Sequence, residues 1–271
     1  MPELPEVETV RRVLKTQVLN KQIISASIYW ANIIAYPDVS EFEKKIKNQI
    51  ILNIDRYGKW LMFELNDYYL LSHLRMEGKY FIRNTNQKKQ KHEHVIFNFK
   101  DNTDLRYNDT RKFGKMYLIE KKKVYKIGPL SKLGLEPWDK KLDVKYLKNH
   151  FHHKPIKTEL LDQSIIVGIG NIYADEILFM CKINPLKMAD ELLDSDCQNI
   201  IEITREVLEK AIENGGTTIK SYTSSEGVHG RFQSHLLVHT KEKCPKCKST
   251  IKKIKVGGRG TYYCENCQRE C

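Results

Sequence analysis

The chain has 271 residues, 41% hydrophobic and 30% charged, and its 46 Lys and Arg against 34 Asp and Glu give a formal charge of +12. Such a length suits one large or two moderate cores. No apolar run approaches the roughly 20 residues that span a bilayer, and Glu3, Glu6 and Glu8 exclude a secretory signal at the start. A cytoplasmic protein with a polyanionic partner is therefore expected. The basic excess is mostly lysine, 35 Lys against 11 Arg. Lysine attracts phosphate as a point charge whereas arginine reads planar groups through a rigid fork, so single arginines are the candidates for specific contacts.

The chain opens Met1-Pro2-Glu3-Leu4-Pro5-Glu6-Val7-Glu8. An initiator Met is normally trimmed before a residue as small as Pro, which would leave Pro2 as a secondary amine beside three carboxylates. An α-amino group titrates near pH 7.7–8.0, against about 10.4 for lysine. Proline's ring amine is intrinsically more basic, so desolvation or a neighbouring charge would have to lower it. Attack by a secondary amine on a carbonyl-like carbon gives a permanently cationic iminium, an electron sink for elimination, with Glu3 adjacent as a general acid. Proline with acids is also an ordinary helix opening.

Apolar Val7, Val10, Leu14 and Val18 recur at helical spacing, so residues 5–18 are predicted helical. Short β-like runs follow at 23–30, 50–56, 59–65, 68–74, 94–99 and 115–119, with one helix at 41–48 capped by Ser40. Strands at roughly ten-residue spacing predict an antiparallel sandwich or barrel. Residues 88–94, Lys-Lys-Gln-Lys-His-Glu-His, form a basic loop. Across 120–141 a lysine run and then Gly128, Pro129, Gly134 and Pro137 break periodicity and mark a linker. Helical patterns return at 143–151, 158–163, 172–181 and 196–213, the last opened by Asp196 as cap and closed by Gly215-Gly216. Gly168 and Gly170 permit tight turns and the approach of a phosphate to the backbone. Asn171 then starts a helix whose free N–H groups favour anions. The polar 215–235 segment has the length of a functional loop.

Cys244-x-x-Cys247 and Cys264-x-x-Cys267 lie sixteen residues apart. Two such knuckles complete a closed tetrahedral zinc site, so one structural Zn²⁺ is predicted, with no open position for hydrolysis. Between them a β-hairpin turns at Gly257-Gly258 with Arg259 at its tip. From 241 to 259 seven lysines and one arginine face a single acid, Glu242, a composition suited to a nucleic-acid backbone. Cys181, Cys197 and Cys271 fall outside this pattern.

The PELPEVE start resembles that of the bacterial formamidopyrimidine-DNA glycosylases, repair enzymes for oxidised purines. Arg56-Tyr57-Gly58-Lys59, the 108–114 segment, the fourteen residues 161–174 and the cysteine hairpin resemble further motifs of that family, in family order and essentially end to end. The resemblance implies an α+β multidomain fold. Its parts would be a sandwich domain at 1–125, a hinge at 126–141, a helix–two-turns–helix domain with a lesion loop at 142–235, and a zinc finger at 236–271. It also implies a monomer acting on double-stranded DNA that carries oxidised purines or abasic sites, at the nucleoid.

The resemblance further implies Pro2 as nucleophile, Glu3 as acid, and Lys59 and Arg259 as aids to elimination. Met76, Arg111 and Phe113 would fill the stack vacated by a flipped base, with Arg111 reading the orphaned cytosine. His92, Asn171 and Arg259 would hold phosphates, with Lys154 and Lys157 as accessory contacts. Thr110 stands where the family usually has Pro, and Lys220 at a basic position; both bear on positioning more than on chemistry. A sister glycosylase of the endonuclease VIII type shares the Pro-Glu start but typically continues Gly-Pro-Glu, so Leu4 and the 111–113 segment argue against it. A non-enzymatic zinc-ribbon protein that binds DNA would be indifferent to removal of Met1.

Overall fold

The computed structural model describes residues 1–217 and 231–269. Lys220, Cys271 and most of the expected lesion loop lie outside these residues. The chain forms two compact units. The first holds Met1–Pro2 and Glu6–Lys132; the second holds Glu3–Pro5, Leu133–Thr217 and the described residues from Arg231 onward.

In the first unit, helix α1 (Leu4–Val18) buries the Val7, Val10, Leu14 and Val18 stripe. Strands β1 (Ile23–Ile28), β2 (Ile34–Tyr36), β3 (Asn53–Tyr57), β4 (Trp60–Glu64), β5 (Tyr68–His73), β6 (Lys79–Asn84), β7 (Glu93–Phe99), β8 (Thr103–Asn108) and β9 (Lys115–Glu120) follow. They form two sheets, of order β2-β9-β5-β4-β3 and β1-β7-β8-β6. All pairs are antiparallel except the short β2–β9 contact. Phe63 and Leu70 from one sheet share a core with Phe97 and Leu105 from the other. That is the expected sandwich.

Strands β2, β6 and β8 were not predicted. In β8 Leu105 and Tyr107 face the core, while Asp104 and Arg106 lie on the opposite face, where the 84–88 segment covers them. Arg106 is buried because Asp104 Oδ2 lies 2.9 Å and Glu93 Oε2 3.1 Å from its guanidinium, while Asn84 and Gln87 carbonyls accept its remaining hydrogens. A buried charge persists only when paired and hydrogen-bonded in this way. Helix α2 (Val39–Ile46) is capped by Asp38, which accepts from Glu41 N at 2.9 Å, and not by Ser40.

The second unit contains α3 (Val144–His150), α4 (Ile156–Leu160), α5 (Asn171–Cys181) and α6 (Asp194–Glu213). Helix α6 starts two residues earlier than expected: Asp196 sits in its first turn and accepts from Leu193 N at 3.1 Å. Strands β10 (Lys252–Val256) and β11 (Arg259–Tyr263) make the hairpin, turning at Gly257-Gly258. No helix among the described residues is long and apolar enough to cross a membrane.

The 237–239 segment ahead of the first cysteine pair, the stem on which the hairpin stands, is tied to α5 by one carboxylate. Glu176 is buried and accepts from Leu237 N at 2.7 Å, Val238 N at 3.1 Å and His239 N at 2.8 Å. Glu176→Gln would turn one acceptor into a donor facing an N–H, a loss on the order of 1–3 kcal/mol. The expected readings are a lower melting temperature and faster loss of zinc to a chelator; no change in either would show that these bonds do not hold the stem.

Candidate active site

Within the second unit, Glu3 and Leu4 are seated at the start of α5. An α-helix leaves its first N–H groups without intrahelical partners. Here Glu3 supplies them: Oε1 accepts from Ile172 N at 3.0 Å and Oε2 from Tyr173 N at 3.3 Å. Leu4 N donates to Gly168 O at 3.1 Å. Both glycines of Gly168-Ile169-Gly170 are required by this seat. A Cβ on Gly170 would lie 2.2 Å from Glu3 Cδ, and one on Gly168, which has φ +93°, would lie 2.3 Å from Leu4 Cδ1. Gln163 braces the loop, donating to Ile169 O at 3.0 Å and accepting from Gly168 N at 2.9 Å. Where the sequence suggests a phosphate at these glycines and helix N–H groups, the anion held is the chain's own Glu3.

Asn171 opens α5, and its Nδ2 donates to Gly260 O in β11 at 2.8 Å. Its neighbour in β11, Arg259, is exposed at the hairpin tip. Lys157 departs from expectation. It is fully buried, with Nζ 2.8 Å from Asn171 O and 2.5 Å from Asp175 Oδ1. Burial pulls its pKa down despite Asp175. The other Asp175 oxygen lies 2.6 Å from His239 Nδ1. Lys157 is thus an internal tie from α4 through α5 to the hairpin stem, with no free ammonium for DNA. Lys154 is half-exposed, 3.8 Å from Glu159 Oε1.

The four cysteine sulfurs lie within 4.8 Å of one another, with Cys244–Cys267 at 3.8 Å and Cys247–Cys264 at 3.4 Å. Four zinc–sulfur bonds of about 2.3 Å in a tetrahedron separate sulfurs by about 3.8 Å, so the donor set fits one structural Zn²⁺. The Ser249 hydroxyl, 2.8 Å from Cys247 Sγ, pulls that thiol down to about 6 and favours the thiolate a metal needs.

In the first unit Pro2 is buried, and Lys59 is 6% exposed at the turn between β3 and β4. Glu8 sits among arginines, with Arg11 at 2.7 Å, Arg12 at 2.8 Å and Arg56 at 3.5 Å. Burial raises its carboxyl, but Arg11, Arg12 and Arg56 more than offset this and hold it below the usual range. His92 is half-buried in the loop before β7. Met76 is 39% and Phe113 50% exposed, and the Arg111 guanidinium stacks 4.8 Å over the Phe113 ring. The structure therefore joins Arg111 to Phe113, and Glu3 and Asn171 to one helix end.

His73 was not singled out from sequence. It is buried at the end of β5, edge-on to Trp60, and its Nδ1 accepts from Arg75 N at 3.0 Å. Burial, then Arg75 and Lys59, lower its pKa from 6.5 to about 3. The unfolded chain therefore binds a proton between these values that the folded protein does not, and stability must fall as pH drops from about 6.5 toward 3, by at most about 1.4 kcal/mol per pH unit. His73→Gln is expected to flatten this part of the melting-temperature profile; an unchanged slope between pH 7 and 4.5 would contradict the assignment.

Comparison with known proteins bears on the whole chain. The formamidopyrimidine-DNA glycosylase N-terminal domain model matches residues 1–116, the H2TH domain model of the same family residues 133–223, and a model described as a zinc finger found in FPG and IleRS residues 241–269. A formamidopyrimidine-DNA glycosylase from Exiguobacterium sibiricum is 47% identical over 274 residues, covering 99% of both chains. One from Bacillus subtilis is 45% identical over 273 residues, with the same coverage. A Lactococcus lactis relative solved with an abasic site containing DNA has a TM-score of 0.91 at 38% identity, covering 99% of this chain and 100% of its own. Another, solved with a Fapy-dG containing DNA, has a TM-score of 0.92 at 38% identity and the same coverage. With three successive domain models matched and relatives this similar along the full length, the chain belongs to the formamidopyrimidine-DNA glycosylase family.

Proposed function

We propose that this protein is a bifunctional DNA glycosylase and abasic-site lyase of base excision repair. It excises oxidised purines, 8-oxoguanine and formamidopyrimidines, from duplex DNA in the cytoplasm, at the nucleoid. The observation that carries this reading is the seat built for Glu3, which fixes the residue next to Pro2 on a helix end. A chain start serving only as a helix opening has no use for two glycines kept bare beneath it. The names and DNA complexes of the relatives support purine lesions over oxidised pyrimidines. The division into a sandwich domain at 1–125, a hinge at 126–141, a domain at 142–235 and a finger at 236–271 belongs to the same reading.

Once Met1 is removed, the Pro2 nitrogen attacks C1′ of the flipped nucleoside, and the purine leaves with the glycosidic electron pair. Two backbone donors suit Glu3 as a carboxylate, so it takes the proton released from the Pro2 nitrogen and passes it to the ring oxygen. Opening of the sugar leaves an iminium on Pro2. Lys59 and Arg259 assist β- and then δ-elimination, which leaves a one-nucleotide gap. Met76, Arg111 and Phe113 fill the vacated stack. His92, Arg259, Lys154 and the second Nδ2 hydrogen of Asn171 meet phosphates. Zinc supplies no chemistry to these steps: Cys244, Cys247, Cys264 and Cys267 would hold it in a closed site that shapes the hairpin.

Borohydride trapping on a duplex with one 8-oxoguanine opposite cytosine tests this. A covalent adduct mapped to Pro2 is expected, absent in Pro2→Gly and in protein retaining Met1. Tight binding without any adduct would indicate a binding module, and an adduct formed only with oxidised pyrimidines the sister specificity.

A further inference from the structure

Two turns of the first unit rest on one buried phenol. The turn 74–78, which carries Met76, closes with Gly78 N donating to Leu74 O at 2.9 Å. A Cβ on Gly78 would lie 2.3 Å from Tyr107 Oη. The turn 109–114, which carries Arg111 and Phe113, ends at Gly114, where a Cβ would lie 1.7 Å from the same oxygen. Tyr107 is fully buried, and burial pushes its phenol well above the ordinary range, so the hydroxyl stays neutral and faces Asp109 Oδ2 at 3.4 Å.

Asp109 is equally buried. Its Oδ1 accepts from Arg111 N at 3.0 Å and its Oδ2 from Gly114 N at 2.8 Å. Its carbonyl lies 3.0 Å from His94 Nε2, and its own N donates to His92 O at 3.0 Å. Lys112, at φ +59°, is held in the left-handed region with its ammonium 3.8 Å over the Trp30 ring. A turn whose exposed side chains stand on this many buried bonds is built to keep its shape.

We propose that Tyr107 and Asp109 are positioning residues that lock the Met76 turn and the Arg111–Phe113 turn into one preformed wedge, and so set the discrimination of the base opposite the lesion. This rests on the reading above in which Met76, Arg111 and Phe113 enter the base stack. A wedge fixed before binding has less ordering to undergo in the complex, and it rejects a base that would require it to shift.

The test uses the full chain. Tyr107→Phe removes only the hydroxyl; Asp109→Asn keeps the shape but turns one acceptor into a donor facing an N–H. Single-turnover excision is measured with 8-oxoguanine opposite cytosine and opposite adenine. Strand cleavage of a single-stranded abasic oligonucleotide, which has neither stack nor opposite base, is measured alongside. The cytosine-over-adenine preference is expected to fall about tenfold in both variants, the scale on which small misplacements act. Single-strand cleavage is expected to stay within about twofold, since no interaction used there is removed. An unchanged preference, or equal losses on all three substrates, overturns the proposal. Arg111→Ala separates the two levels. If it leaves the preference intact, the wedge reading fails and the brace with it; if it alone abolishes the preference, only the brace fails.

Discussion

The second unit depends on one electrostatic arrangement, a carboxylate from the third residue on the free N–H groups of α5. The positive end of a helix stabilises an anion by about 0.3–1 kcal/mol at an exposed site and up to about 2 kcal/mol when partly buried. Glu3 is 3% exposed, which puts it toward the upper end of that range. The seat does more than stabilise. It demands glycine at 168 and 170, so two features far apart in sequence become one. From the same helix, Asp175 and Glu176 reach the stem of the hairpin, and Asn171 reaches the strand that carries Arg259. Helix α5 thus holds both Glu3 and the strand that carries Arg259.

The buried pair of Lys157 and Asp175 is part of the same scaffold. Buried ion pairs gain little over apolar packing, but removing one partner strands a charge at a cost of about 3–5 kcal/mol. Here the pair joins α4, α5 and His239, and it is hydrogen-bonded on both sides. Such a cluster resists small displacements of α5. In the first unit the exposed Arg111 and Phe113 stand on buried Asp109 and Tyr107 in a comparable way. Each unit fixes its chemistry-bearing side chains through groups that never meet solvent.

Much of this was legible in the sequence because it is local. The period of α1, the strand spacing and the two Cys-x-x-Cys knuckles each follow from geometry within a few residues. The finger's ligands needed only spacing. Strand β8 was hidden because only Leu105 and Tyr107 give it an apolar alternation, and the burial of Asp104 and Arg106 on its other face depends on Glu93 of another strand. Lys157 read as a surface lysine for the same reason: the acid that allows its burial is in the next helix. The glycines of 168–170 announced close approach of an anion, but nothing local could say that it would come from Glu3, 169 residues before Ile172. Adjacent Asp175 and Glu176 in an otherwise apolar helix were a usable signal for the hairpin tie.

Gly170 is bare for the sake of Glu3 and not for a phosphate. Gly170→Ala separates these directly, because its Cβ would fall 2.2 Å from Glu3 Cδ. Single-turnover excision of 8-oxoguanine and affinity for an uncleavable abasic-analogue duplex should be measured on the same preparation. If Glu3 has the role proposed for it, excision falls by about a hundredfold or more with affinity nearly unchanged. Lost affinity with an intact first-turnover rate would contradict it and return the glycine to the phosphate.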